Sequence, residues 1–234
     1  MGHEGFSVVD TIPLLNLLPS HVAYAIIVIV ILMIVAALGA RGIRSKGEKR
    51  SYLAEGHLTF RTAGEVMTEM ALKIVKNNMG PRGTEFTLII GTLGLFILVS
   101  NVLGTIPGFQ SPTSNINTTA ACAVTVFCLT HYYGVRQHGI KYFKQFIGPV
   151  IWLAPLMIPL EIISHFVRPV SLSIRLFCNI FADHLTAAVF FSLVPWLLPL
   201  PFMFLGLLVA VIQTFVFILL SMTYFSLAIE GHEH

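Results

Sequence analysis

From Phe146 to Ile229 the chain carries only four formally charged residues, Glu161, Arg168, Arg175 and Asp183. Within that stretch Leu185–Ile229 has none, and it is far longer than the roughly 20 residues one helix needs to cross a ~30 Å hydrocarbon core. Pro195, Pro199 and Pro201 in VPWLLPLP divide it, with Trp196 where an interfacial belt would fall. Water-soluble domains carry about 25% charged residues; this chain of 234 residues has 11%, with 56% hydrophobic. The expected fold is therefore an all-α polytopic membrane protein. A net charge of +3, scattered along the chain, gives no footprint for nucleic acid.

Basic loops orient the spans. The uncharged run Val22–Ala40 is followed at once by RGIRSKGEKR, and a second basic loop, RQHGIKYFK, follows the apolar stretch Ala120–Val135. The positive-inside rule places both in the cytoplasm and the N-terminus outside. The first apolar segment has a polar leader and spanning length, so it reads as a membrane helix rather than a cleaved signal. Phe86–Ile106 would cross outward to the uncharged loop GFQSPTSNINTT. Thr62–Asn78 repeats Met67, Met70, Ala71, Ile74 and Val75 at helical spacing, against Glu65, Glu69, Lys73 and Lys76 on the other face. It is an amphipathic helix, lying either on the cytoplasmic membrane surface or against protein.

A single transmembrane domain follows from this reading. Residues 1–21 lie outside, 22–40 form the first span, and 41–84 hold the cytoplasmic basic loop and amphipathic helix. A two-helix hairpin occupies 85–136, and 137–234 hold a basic loop and two long helices. About five crossings are expected. A helix from Glu161 to Pro195 would be roughly 50 Å long and Phe202–Ile229 about 40 Å. Both exceed the membrane core, so the first must tilt steeply, kink at Pro169, or both, the second must tilt too, and the two should form a strongly tilted hairpin.

On an ideal wheel of about 100° per residue, with Arg175 at zero, Glu161 falls near +40°, Ser164 near −20°, Arg168 near +20°, Asn179 near +40° and Asp183 near +80°. His184 points the opposite way. A central intramembrane charge costs at least ~2.5–3.5 kcal/mol, so such groups usually face a cavity or a partner and serve transport. Arginine keeps its proton in poor surroundings. It suits the attraction of a carboxylate that must give up a proton, and Asp183 and His184 can take and give protons. No carboxylate lies one helical turn from Arg175. Gln213 is the one strongly polar side chain in a long apolar run, with Ser221 and Tyr224 on roughly the same face. Ser100 and Asn101 form a polar step near the outer end of their span.

Other chemistries find little support. Cys122, Cys128 and Cys178 lie inside apolar runs without metal spacing, and no metal or cofactor is expected. There is no P-loop, so nucleotide chemistry is not expected on this chain, nor a zinc-protease or nucleophile-elbow motif. A secondary transporter would show an internal repeat and more spans. A haem subunit would pair histidines across spans.

PVSLSIRLFCNIFADHL resembles the hallmark segment of subunit a of the rotary F-type ATP synthase membrane sector. The resemblance extends to NVLGTIPG, SNINTT, PLEIISHFVRPVSLSIRLF and IQTFVFILLSMTYFSLAI. It implies a stator subunit of a bacterial inner membrane, not itself catalytic for nucleotide chemistry. Its implied partners are a ring of c subunits, b-type peripheral stalk subunits, the rest of the complex and the lipid bilayer. Arg175 then corresponds to the arginine that faces the ring carboxylate, and Asn179 to its neighbour. Glu161 and Ser164 correspond to the lining of the cytoplasmic half-channel. Asn101, Asp183, His184 and Gln213 correspond to the outer half-channel or its junction with the arginine. Three positions depart from the pattern. Some members have glutamate where His184 stands, histidine where Gly206 stands and aspartate where Gly104 stands.

Overall fold

The computed structural model describes residues 18–44, 60–106, 109–139, 142, 154–193 and 199–230. The N-terminal segment 1–17, the basic loop 45–59, Lys141 and Lys144, and the Pro195–Trp196 break lie outside the described residues, as do the side chains of Glu65 and Met67. Among the described residues are six α-helices and two short 3₁₀ turns, with no strand. The helices are α1 (Ser20–Arg44), α2 (Phe60–Met79), α3 (Thr87–Gly104), α4 (Ile116–His138), α5 (Ala154–Leu193) and α6 (Pro199–Glu230). The protein is an all-helical polytopic membrane protein: α1, α3, α5 and α6 are long and apolar enough to cross a bilayer. α4, at 23 residues, has the length but more threonine, tyrosine and histidine.

The ends of these helices follow from local chemistry. Asn115 caps α4, its side chain accepting from the Asn117 backbone N–H at 2.9 Å. Gly139 closes α4 at φ 57°, a left-handed conformation that glycine takes without strain. Pro155 sits in the first turn of α5, where no backbone N–H is needed. α5 then continues through Pro159 and Pro169 to Leu193. Its 40 residues span about 60 Å, longer than the expected 50 Å because the helix starts at Ala154. α6, with 32 residues, spans about 48 Å.

α5 and α6 form the expected hairpin. Phe190 stacks on Phe202 at 3.8 Å, Asn179 reaches Gln213, and Arg168 lies over Tyr224. The paired positions step together along both helices, which is the register of an antiparallel pair. α3 runs antiparallel to α6 in the same way, from Phe86 beside Phe225 to Asn101 beside Thr214. Midway, a β-carbon on Gly94 would stand 2.5 Å from Ile218 Cδ1, so glycine lets these two helices approach.

The core lies where α3, α4, α5 and α6 meet, around Phe86, Ile97, Val126, Leu172, Leu176, Phe217 and Phe225. α2 adds Val75, which is buried, with Ile74 and Met79 partly so. Its C-terminal half thus packs on protein, whereas Met70 is 62% exposed rather than on the packed face. α1 is held by Ala23 and Tyr24 against Leu103 and Phe109. Beyond these contacts α1, α5 and α6 carry exposed Ile, Leu, Val and Phe along most of their length. Such a surface suits lipid or an apolar partner.

Candidate functional site

On α5 the buried positions His165, Leu172, Ser173, Leu176 and Ile180 centre about 100° round the helix from Arg175 on an ideal wheel. Arg175 is therefore exposed, flanked by exposed Ile174, Cys178 and Asn179. Among the described residues its guanidinium has no carboxylate and no hydrogen-bond partner. Ser164 is also exposed, and Glu161 is half-buried with Oε1 3.4 Å from His165 Nδ1.

The helix pairing brings Asn179 to Gln213. Asn179 donates from Nδ2 to Gln213 Oε1 at 2.6 Å. Gln213 is 3% exposed, and its Nε2 has no partner among the described residues. It lies on the buried stripe Gly206, Ala210, Gln213, Phe217, Ser221 and Phe225 of α6, at helical spacing.

A second polar group joins the C-terminal end of α3 and the segment leading into α4 to α6. Thr113 Oγ1 donates to Asn101 Oδ1 at 2.6 Å, and Ser111 Oγ donates to the Ser100 carbonyl at 2.9 Å. The Ser111 and Thr113 hydroxyl oxygens are themselves 2.6 Å apart. Two hydroxyl protons therefore serve three contacts: two of the three are hydrogen bonds at any moment, rotating one hydroxyl moves the unfilled one, and rotating both reverses the chain. Asn101 Nδ2 reaches Thr214 Oγ1 at 3.4 Å and the Ala210 carbonyl at 3.5 Å. Ser100 Oγ is buried with no partner among the described residues.

Asp183 and His184 meet this seam at the two glycines where the family pattern varies. A β-carbon on Gly104 would stand 2.8 Å from His184 Nε2 and 2.5 Å from Ser111 Cβ. One on Gly206 would stand 3.1 Å from Asp183 Oδ2. The imidazole of His184 thus fills the space above Gly104, and the carboxyl of Asp183 fills that above Gly206. Although opposite Arg175 on the wheel, His184 thus lies against α3, beside Gly104.

Of the residues singled out from sequence, Asn179 and Gln213 are joined directly. Asn101 anchors the outer group, and Asp183 and His184 sit against α6 and α3. Glu161 and Ser164 lie apart, towards the α5 N-terminus. Ser111, Thr113 and Thr214 were not singled out. Their only sequence signal is a hydroxyl in an uncharged loop or beside Gln213, and their meeting depends on how α3 packs against α6.

An apolar helical bundle, buried polar groups between its helices, and an exposed Arg175 with no partner among the described residues together define a polytopic membrane protein. Residues 22–226 match the family model described as ATP synthase A chain. The chain is 46% identical to "ATP synthase subunit a" of Geotalea daltonii over 90% of its own length and 88% of that protein. It is 57% identical to "ATP synthase subunit a 2" of Syntrophotalea carbinolica over 67% of each chain. It is 44% identical to "ATP synthase subunit a" of Geobacter sulfurreducens, over 89% of its own length and 87% of that protein. The chain belongs to the ATP synthase A chain family, the subunit a of F-type ATP synthases. Its partner is accordingly the rest of that complex.

Proposed function

We propose that this chain is the stator that presents Arg175 to a carboxylate on a rotating ring of c subunits, between two offset proton half-channels. The observation that carries the reading is the position of Arg175, a permanent cation on an apolar outer face with no counter-ion among the described residues. A charge at such depth costs ~2.5–3.5 kcal/mol or more unless it faces a partner. The partner that answers this cost is an anion from another subunit.

A proton enters from outside past Ser111, Thr113 and Asn101 to His184 and Asp183. It neutralises the ring carboxylate, which then travels through lipid without the cost of a charge. At the Glu161 and Ser164 side the carboxyl loses the proton to the cytoplasm. Arg175 stabilises the ionised form as it passes and separates the two channels. Asn179 and Gln213 hold the helix pair beneath the arginine. Each charge moved across 100 mV supplies about 2.3 kcal/mol, so several protons per ATP are needed.

The test is cysteine cross-linking in the assembled complex, with Cys122, Cys128 and Cys178 replaced. A cysteine at position 179 should join one placed beside the ring carboxylate, and a cysteine at buried position 97 should not. Equal cross-linking from both positions, or none from 179, would sink the assignment of this face to the ring.

A further inference from the structure

Towards the α5 N-terminus a cavity of about 50 Å³ opens between α4, α5 and α6. That is room for about three waters. The groups facing it include His131 from α4, Glu161, His165 and Arg168 from α5, Tyr224 from α6, and Tyr142.

Both histidines are held in one tautomer. His131 Nδ1 lies 2.9 Å from the Phe127 carbonyl, and His165 Nδ1 lies 2.9 Å from the Glu161 carbonyl. A carbonyl only accepts, so each Nδ1 bears the hydrogen and each neutral ring keeps its basic lone pair on Nε2. The rings meet edge to face with centroids 5.5 Å apart. Glu161 Oε1 stands 3.4 Å from His165 Nδ1, where it offsets charge gained by that ring. Arg168 is engaged over Tyr224 at 5.7 Å and opposes a second positive charge in the same cavity. The cavity therefore brings two neutral imidazoles beside one carboxylate and one guanidinium, with room for water.

We propose that His131 and His165 form a proton-holding pair in the cytoplasmic half-channel. The pair accepts the proton released by the ring carboxylate on an Nε2 and passes it through water and Glu161 to the cytoplasm, after which both rings are neutral again. This rests on the reading of Glu161 and Ser164 as the lining of that half-channel.

The experiment uses inverted membrane vesicles containing the whole ATP synthase, so that the cytoplasmic side faces the medium. ATP synthesis is followed against medium pH for wild type, His131→Gln, His165→Gln and the double variant, with the amount of assembled subunit measured in each. His131 is half-exposed, so His131→Gln is the variant least able to disturb folding. The double variant should lose synthesis by about tenfold per assembled complex, waters in the cavity carrying the remainder. Its pH dependence should flatten, and imidazole added to the medium should restore much of the rate. A normal rate and pH profile in the double variant would overturn the proposal. So would a loss that imidazole does not relieve and that leaves the pH profile unchanged, since that is a structural effect. Arg175→Ala in the same vesicles separates the two levels. If it still couples, the half-channel reading itself fails; if it is inactive while the histidine variants are normal, only the histidine pair fails.

Discussion

Asn101→Leu separates conduction from folding: both side chains branch at Cγ, leucine removes the polar atoms, and being the larger it leaves no cavity but adds a packing cost of about 1–3 kcal/mol at this buried site. The structure sets the size of the structural effect. Asn101 accepts one short hydrogen bond from Thr113 at 2.6 Å and donates two long ones, at 3.4 and 3.5 Å. Intramembrane hydrogen bonds average about 0.6 kcal/mol, which puts the hydrogen-bond part of the loss near 2 kcal/mol. The neighbours are not orphaned. Thr113 can turn to Ser111 at 2.6 Å, and Thr214 still donates to the Ala210 carbonyl at 2.8 Å. The subunit should therefore assemble, while the hydroxyl chain no longer connects to α6. Passive proton flux through the membrane sector, stripped of its catalytic part, should fall by about tenfold, a barrier increase of about 1.4 kcal/mol. Asn101→Asp keeps the acceptor for Thr113 and should retain flux. Wild-type flux in the leucine variant would refute the path drawn through Asn101, and failure of both variants to assemble would assign the residue a structural role alone.

Asn179→Ala leaves both ends of the buried Gln213 amide unpaired, at a cost of about 1–3 kcal/mol that heat-aggregation of the solubilised complex should register. Asn179→Leu combined with Gln213→Leu should regain that stability yet remain poorly coupled, since two apolar groups fit each other but do not serve a proton path. Gly94→Val drives a branched side chain into Ile218 and should lower assembled subunit by about 1–3 kcal/mol of lost stability; a second change, Ile218→Ala, should relieve it in membrane immunoblots. Phe225→Ala removes a fully buried ring packed 5.0 Å from Phe86. It should destabilise by about 3 kcal/mol, reducing the amount of complex but not the protons moved per ATP in each complex that forms.

Elements carried by long uniform patterns were legible in the sequence. The uncharged run from Val22 yields α1, and the prolines around Trp196 divide the last two helices. The stripe Gln213–Ser221 is buried on α6 as its spacing suggests. The start of α5 was less legible: a helix was expected from Glu161 but begins at Ala154, because a first-turn proline such as Pro155 costs no hydrogen bond and the helix runs on past Pro159. Met70 kept the right period for α2 but lies off the narrow face that Val75 buries. Least legible were contacts between distant segments. Nothing local tells that His184 lies over Gly104, that Asp183 lies over Gly206, or that His131 meets His165. The first two depend on which glycine leaves room in a neighbouring helix and the third on how α4 packs against α5, and a wheel drawn for one helix contains no such information. Arg175 is the converse case: its isolation was plain from sequence because the charges around it are so few.

The central claim is that Arg175 couples proton passage to rotation. It is tested most directly by proton-driven ATP synthesis in vesicles carrying Arg175→Ala or Arg175→Lys, with assembled complex quantified alongside. Lysine should not substitute, since its compact ammonium loses its proton readily where arginine does not. The account predicts normal assembly and no proton-driven synthesis in either variant. Synthesis near the wild-type rate in Arg175→Ala would contradict it.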